Sequence, residues 1–364
     1  MSDLYTPDLY ASNDDYIWDS WFQIDEQGQL HAYFLRANRS ECAFDPEARH
    51  DRASVGHAVW NGRRWQMNDS RPALAASEGD SWDNLSIWTG SVIADRMMRQ
   101  YLKFYTARRK HDALLPTPRG KERAQQIGIA VSQDLHKWTR LPESVDAPIV
   151  PNPGLRYGLD GVAWRDPYVV QWSDEQYYMF ICARSPARSH DPKDPNGGGC
   201  IVYLRSENLY RWDSEPRFVE LPLETGQYQL ETPQVFRGPR DARGYRRVYL
   251  LYASQRNDAT WSRKVRMPQE CETGTYYAVS EPIADGDPRL PRFGPARLLA
   301  YNLYAAKLLM TNPWHRPVLL GFQWADRQGK FVGGIWGPHN VVFRADGSLE
   351  VDAHLRAPVT PLAA

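Results

Sequence analysis

The sequence predicts an all-β protein with the architecture of a five-bladed β-propeller. Five short segments rich in aromatic and aliphatic residues, each bounded by turn residues, recur along the 364 residues as strands do. Their centres are 70, 76, 70 and 70 residues apart and lie at Leu35, Tyr105, Ile181, Leu251 and Gly321. Long stretches of helical periodicity are hard to find. Five units of about seventy residues fit propeller blades, whereas a sandwich or two barrels would not require equal spacing.

A second repeated motif supports the same unit length. Ser132-Gln-Asp-Leu-His-Lys-Trp138 and Ser206-Glu-Asn-Leu-Tyr-Arg-Trp212 agree at Ser, Leu and Trp and lie 74 residues apart. We therefore expect residues 1–364 to form a single propeller domain. Within it, the basic segment from Ala107 to Gln126 is expected to be a solvated loop.

Charge balance, the lengths of apolar runs and cysteine spacing argue against several functional classes. Lys plus Arg (44) equals Asp plus Glu (44), so no net field favours a nucleic acid or an anionic membrane. Neither a membrane-length apolar run nor a secretory signal is visible, which predicts a cytoplasmic location. The four cysteines are too far apart for a zinc site, and we expect no metal and no cofactor: Cys42, Cys182, Cys200 and Cys271.

Three acidic residues lie at comparable places in their units. Asp19 is 16 residues before the centre of the first unit, Asp166 is 15 before that of the third, and Glu231 is 20 before that of the fourth. One strand earlier in each blade is the innermost strand, which lines the central channel. We therefore expect the three carboxylates to converge at one mouth of that channel, although each acid alone could be an ordinary turn or surface residue.

Three converging acids are what glycoside chemistry needs. The common route uses two carboxyl groups beside the scissile bond, one protonated and one ionised. A third carboxylate can hold sugar hydroxyls and raise the pKa of the acid. Glu231, between Leu230 and Pro233, is expected to be partly desolvated and protonated. Asp19 lies between two tryptophans that could wall a sugar pocket, and Asp166 beside Arg165 is expected to stay ionised.

At these residues the sequence resembles the propellers of glycoside hydrolase families 32 and 68, with family 43 more distant. Trp18-Asp19-Ser20-Trp21 resembles the nucleophile motif of family 68, and Trp88-Thr-Gly-Ser91 is similar to the Ser-Gly-Ser element of the second blade. Trp164-Arg165-Asp166-Pro167 resembles the Arg-Asp-Pro box. Leu230-Glu231-Thr-Pro-Gln-Val-Phe236 resembles the Glu-Cys-Pro box of family 32, with Thr232 in place of Cys.

The resemblance extends over nearly the whole chain. Tyr304-Ala-Ala-Lys307 and Gly333–His339 are similar to the fifth blade of family 32. Family 32 enzymes usually carry a C-terminal β-sandwich, and we expect none here. The resemblance implies a retaining enzyme acting on β-fructofuranosides such as sucrose or fructo-oligosaccharides, with water or another sugar as acceptor. It implies Asp19 as nucleophile, Glu231 as acid/base and Asp166 as transition-state stabiliser. The substrate-binding residues it implies are Trp18, Trp88, Ser91, Arg165, Tyr304 and Lys307.

Two alternatives stay open. One is an inverting arabinofuranosidase or xylosidase of the family 43 type, in which Asp19 would activate water across a wider carboxylate gap. The other is a propeller without catalytic activity that binds a glycan or a protein. Turnover, and the anomer first released, separate the three.

Overall fold

The computed structural model describes residues 10–189, 191, 193–222 and 225–356. They form five antiparallel sheets of four or five strands, one per sequence unit and arranged as the blades of a propeller, together with one two-stranded hairpin. The predicted fold class is thereby confirmed. In each blade, the first strand in the chain is the innermost, and the later strands follow towards the outside.

The strands of the first three blades are as follows: β1 (Asp15–Ile24), β2 (Leu30–Asn38), β3 (Ser54–Trp60) and β4 (Trp65–Met67); β5 (Ser86–Asp95), β6 (Gln100–Arg108), the inserted pair β7 (Leu115–Thr117) and β8 (Gly120–Glu122), β9 (Gln126–Ser132) and β10 (Thr139–Arg140); β11 (Trp164–Ser173), β12 (Gln176–Arg184), β13 (Gly199–Ser206) and β14 (Arg217–Phe218). Those of the last two are β15 (Glu231–Arg240), β16 (Tyr245–Ser254), β17 (Gly274–Val279), β18 (Ile283–Ala284) and β19 (Arg297–Tyr301); β20 (Leu303–Leu309), β21 (Val318–Ala325), β22 (Phe331–Phe343) and β23 (Leu349–Val351).

Helices in the described residues are short and lie in the connections. The α-helix α1 spans Trp261–Arg266. The 3₁₀ turns are Pro46–Arg52, Pro142–Ser144, Arg156–Gly158, Pro186–Arg188, Arg256–Asp258, Pro268–Glu270 and Ala353–Leu355. None of these helices has the length and apolarity that crossing a membrane requires.

The five predicted segments are the second strands of the five blades, β2, β6, β12, β16 and β21. They are buried on both faces because each blade is covered by a neighbour on either side. The apolar core accordingly divides into five clusters, four of which lie between two adjacent blades. The fifth, between the first and second blades, also includes Ala253 of the fourth blade and Tyr304, Ala305 and Phe322 of the fifth. The ring closes where Tyr10 pairs with Ile335 of the last blade, through backbone hydrogen bonds of 3.0 and 2.9 Å.

The repeated Ser-Leu-Trp motif forms the same turn in the second and third blades. The hydroxyls of Ser132 and Ser206 accept hydrogen bonds from backbone amides two residues on, and the leucines have φ of 63° and 71°. Each tryptophan then donates its indole N–H to the leucine carbonyl. The shared residues are thus those that the turn requires, and the repeat in sequence reflects a repeat in structure.

Every innermost strand contains a β-bulge near its start. The pairing register shifts between Trp18 and Ser20 in β1, and at the corresponding places in β5, β11, β15 and β20. Bulge residues with positive φ are Asp19 (38°), Asp166 (59°), Thr232 (51°) and Ala305 (50°). Successive side chains of a regular strand point to opposite faces, and a bulge breaks that alternation. The bulges therefore allow two consecutive side chains to face the channel.

Candidate active site

A cavity of about 410 Å³ occupies one mouth of the central channel, and all five blades contribute to its wall. The residue just before each bulge lines it: Trp18, Trp88, Arg165, Glu231 and Tyr304. The bulge residues of the first three blades line it too: Asp19, Thr89 and Asp166. A volume of this size is in the range of small-molecule sites.

The three predicted acids do meet in this cavity, but they are not at strictly equivalent positions. Asp19 and Asp166 are bulge residues with positive φ, whereas Glu231 precedes the bulge residue Thr232. The prediction of matched phase is therefore correct for the two aspartates and wrong by one residue for the glutamate. This difference does not separate the three acids. At a bulge, the residue before it and the bulge residue can both face the cavity, as Trp18 and Asp19 do.

Glu231 lies in a polar cradle rather than the apolar one expected from Leu230 and Pro233. Its Oε1 is 2.7 Å from Nη2 of Arg165, and its Oε2 accepts a hydrogen bond from the Tyr304 hydroxyl. Arg165 also donates to the side chain of Gln229. Two neighbouring blades thus hold the carboxylate in one orientation, while one fifth of its side chain stays exposed to the cavity.

Asp166 is almost completely buried at the floor of the cavity. Its Oδ2 accepts a 2.8 Å hydrogen bond from the backbone amide of Thr232 and lies 3.6 Å from Nε of Arg165. Burial raises the pKa of Asp166 to about 6, and Arg165 opposes that rise. The expectation that Asp166 is ionised therefore applies above about pH 6 in the free protein.

Asp19 accepts a 2.8 Å hydrogen bond from the hydroxyl of Thr89 in the second blade. Burial raises the pKa of Asp19 to about 7, the charges of Asp166 and Glu231 add to the rise, and the Thr89 hydrogen bond opposes it. The mutual repulsion of three carboxylates is thus part of the electrostatics of the cavity. Of the two tryptophans flanking Asp19, Trp18 lines the cavity, whereas Trp21 is buried in the core against Tyr33.

Two predicted substrate-binding residues lie outside the cavity lining. The Ser91 hydroxyl donates to the carbonyl of Pro167 and accepts from the amide of Val169, so it joins the second blade to the third. Lys307 is buried, and its ammonium group donates to the carbonyl of Thr232. Burial lowers the pKa of Lys307 to about 8, and the nearby carboxylates of Asp166 and Asp19 oppose that effect. Both residues support the floor of the site from outside it.

One wall of the cavity was not predicted from the sequence. It is formed by the 3₁₀ turn Pro46–Arg52, which brings Glu47, Arg49 and His50 into the lining. The carbonyl of His50 accepts hydrogen bonds from the indole of Trp88 (2.8 Å) and from Arg108 (2.7 Å). The Asp45 cap and Pro46 are recognisable signals for a helical turn, but nothing in the sequence places that turn against the second blade.

His50 is held as a neutral imidazole in that wall. Its Nδ1 donates to the carbonyl of Glu47 at 3.1 Å, which leaves Nε2 as an acceptor. Burial and the charge of Arg49 lower the pKa of His50 to about 3. Its ring lies edge-on to Trp18 and Trp88, with centroid distances of 6.2 and 5.9 Å. Nowhere in the described residues are three His, Cys, Asp or Glu side chains grouped as metal ligands.

Residues 49–330, more than three quarters of the chain, match the family model described as glycosyl hydrolases family 32 N-terminal domain. The chain belongs to glycosyl hydrolase family 32. Asp166 and Glu231 lie within the matched residues of this family 32 chain, and Asp19 precedes them. No curated protein sequence matches it significantly.

Solved structures share the fold at low sequence identity. Fructan 1-exohydrolase IIa of Cichorium intybus has a TM-score of 0.62 and 14% identity, and the match covers 94% of this family 32 chain and 59% of the exohydrolase chain. The levansucrase of Gluconacetobacter diazotrophicus has a TM-score of 0.61 and 16% identity, covering 97% and 84%. The β-fructofuranosidase of Bombyx mori has a TM-score of 0.59 and 16% identity, covering 96% and 65%. The chain thus spans about three fifths of the length of the Cichorium intybus enzyme.

Proposed function

We propose that this family 32 chain is a retaining glycoside hydrolase that acts on β-fructofuranosides, with sucrose and short fructo-oligosaccharides as substrates. The observation that carries the proposal is the convergence of Asp19, Asp166 and Glu231 on one cavity walled by Trp18 and Trp88. Family membership supports the reaction class, and the residue assignments rest on the geometry of the cavity. We also propose that the five blades are one catalytic domain.

In the first step, the ionised carboxylate of Asp19 attacks the anomeric carbon of the fructosyl unit. The bond from that carbon to the glycosidic oxygen breaks, and Glu231 donates its proton to the departing oxygen. The products are a fructosyl ester on Asp19 and the free leaving group. Arg165 and Tyr304 keep the Glu231 carboxyl group at a fixed position beside that oxygen.

In the second step, Glu231 accepts a proton from a water molecule whose oxygen attacks the anomeric carbon; the bond from that carbon to the Asp19 oxygen breaks, which releases fructose and ionised Asp19. If a sugar hydroxyl replaces water, the same step transfers the fructosyl unit. Asp166 accepts hydrogen bonds from the fructosyl hydroxyls in both steps and stabilises the positive charge that develops on the ring. The Trp18 and Trp88 rings pack against the sugar faces.

The testing experiment is product analysis after incubation with sucrose, with Glu231→Gln as the blank. Fructose or fructose oligomers absent from the blank would establish a fructosyl enzyme, and their ratio would separate hydrolysis from transfer. The anomer first released, read by NMR before mutarotation, tests retention. An inverted product would favour the family 43 type of mechanism, and ligand-induced thermal stabilisation without turnover of any glycoside would favour a binding protein.

A further inference from the structure

The β7–β8 hairpin is an insertion between the second and third strands of the second blade, and its tip reaches the fourth blade. Nη1 of Arg119 is 2.5 Å from Oδ1 of Asp258, and Nη2 is 3.2 Å from the carbonyl of Asn257. Nη2 also lies 2.8 Å from the side-chain oxygen of Asn196, which belongs to the third blade. Because the third blade lies between the second and the fourth, the hairpin passes over its inner end.

The underside of the hairpin faces the cavity that holds the three acids. Arg119 and Glu122 both line that cavity. The guanidinium carbon of Arg119 lies 4.0 Å from the ring centroid of Tyr228, another lining residue. The hairpin is thus part of the wall of the candidate site and not a separate surface feature.

The anchor of the hairpin is the ion pair between Arg119 and the buried Asp258. The Asp258 side chain is only 2% exposed, so its carboxylate depends on Arg119 for compensation of its buried charge. The charge of Glu231 acts on Asp258, and the charge of Asp258 acts on Tyr304, which binds Glu231. The anchor therefore lies on the Glu231 side of the cavity.

We propose that the β7–β8 hairpin, anchored by Arg119 to Asp258, is a specificity determinant that closes the leaving-group side of the cavity and restricts the substrate to short fructosides. The inference rests on the proposed function, because it takes Glu231 as the acid. A general acid must lie beside the departing oxygen, so the leaving group occupies the space next to Glu231. Since Arg119 and Glu122 of the hairpin line the cavity, we infer that the hairpin admits a small sugar to that space and obstructs the body of a polymer.

The test compares kcat/KM for sucrose and for inulin, a polymeric fructan, in four variants of the full chain. Arg119→Ala and Asp258→Asn remove the anchor from either side, and a third variant replaces residues 115–122 by Gly-Gly. The control is Arg109→Ala, which breaks the 2.8 Å ion pair with Asp80 at the foot of the same segment. We expect the inulin-to-sucrose ratio to rise at least tenfold in the first three variants and to stay within twofold in the control.

An unchanged ratio in the shortened variant, if that variant still cleaves sucrose, would overturn the proposal. Hydrogen exchange provides a readout that needs no substrate. Amides of residues 115–122 should exchange at least tenfold faster in Asp258→Asn than in the wild type, with no change in Arg109→Ala, and equal exchange would overturn the anchor. A wild type that cleaves no β-fructoside would refute the proposed function, whereas the exchange result would still decide whether the anchor exists.

Discussion

The hydroxyl of Thr89 donates a 2.8 Å hydrogen bond to Oδ2 of Asp19, and the two residues occupy the bulges of neighbouring blades. The carbonyl of Thr89 in turn accepts from Thr106, whose hydroxyl also accepts from the backbone amide of Asp166. The two aspartates are thus connected through the second blade. Their ionisation and their positions are both set by contacts that cross from blade to blade.

The pH dependence of kcat/KM should show an acid limb near pH 7. Asp19 must be ionised to attack, and burial together with the charges of Asp166 and Glu231 raises its pKa to about 7. Below that pH, the reactive form of the free enzyme is depleted by up to about tenfold per pH unit. A profile of kcat/KM from pH 4 to 8 measures this limb. A rate that stays constant down to pH 5 would contradict the raised pKa of Asp19.

Thr89→Val should move this acid limb to higher pH. A hydrogen bond to the charged carboxylate lowers its pKa, so its loss should raise the pKa of Asp19. We expect a severalfold loss of kcat/KM at pH 6 and a smaller loss at pH 8. Thr139→Val, in the exposed outer strand β10, is the matched control and should leave the profile unchanged. An equal loss at both pH values would indicate a purely structural role for Thr89.

Asp19→Asn and Glu231→Gln should differ in their response to the leaving group. On sucrose, both should lower kcat by about a thousandfold or more, because each removes a required carboxyl group. An aryl β-fructofuranoside with an acidic phenol as leaving group needs little protonation. It should therefore restore formation of the fructosyl ester in Glu231→Gln but not in Asp19→Asn, as the burst of released phenol would measure. Restoration in Asp19→Asn instead would reverse the two roles.

Asp19→Asn should stabilise the protein at pH 8 more than at pH 4.5. The pKa of Asp19 is raised from 3.8 to about 7 on folding, so the folded state binds the proton more tightly than the unfolded state. The free energy of unfolding therefore falls as pH rises through this window. Asparagine carries no charge, and we expect a gain on the order of 2 kcal/mol at pH 8. Urea unfolding at both pH values measures the difference, and a gain of equal size at both would refute the linkage.

Gly90→Ala should destabilise the fold by about 3 kcal/mol or more, because overpacking against a backbone cannot be relieved by a rotamer change. Gly90 follows the bulge of β5, and an added Cβ would lie 1.8 Å from the carbonyl oxygen of Phe104 in the paired strand. Gly294→Ala is the control, since its Cβ would meet only one neighbour, at 3.3 Å. Denaturant unfolding measures the free energy of unfolding of both variants. Equal values would show that β5 and β6 can move apart without a loss of stability.

The blades were predictable because their signal is local. Each second strand is buried on both faces, so it appears in the sequence as a short apolar run, and the repeat spacing gives the number of blades. The Ser-Leu-Trp turn is local as well, since its hydrogen bonds join residues at most three positions apart. Asp19, Asp166 and Glu231 could be identified because they lie at the start of such strands.

The wall of the cavity was not predictable in the same way. Glu47, Arg49 and His50 come from a 3₁₀ turn that only the neighbouring blade positions. Residues 107–126, expected to be a solvated loop, contain the β7–β8 hairpin, whose Arg119 binds Asp258 across 139 residues of sequence. No periodicity in a sequence encodes such a contact.

The all-β class, the five units and the three acids could be derived from the sequence alone, because strand burial and repeat length are properties of neighbouring residues. The surroundings of those acids depend on how the blades pack together. This packing replaced the expected apolar setting of Glu231 by Arg165 and Tyr304, and it moved Ser91 and Lys307 out of the cavity lining. The reason is that a propeller builds its site from one strand of every blade, so each carboxylate takes its environment from residues far away in the chain.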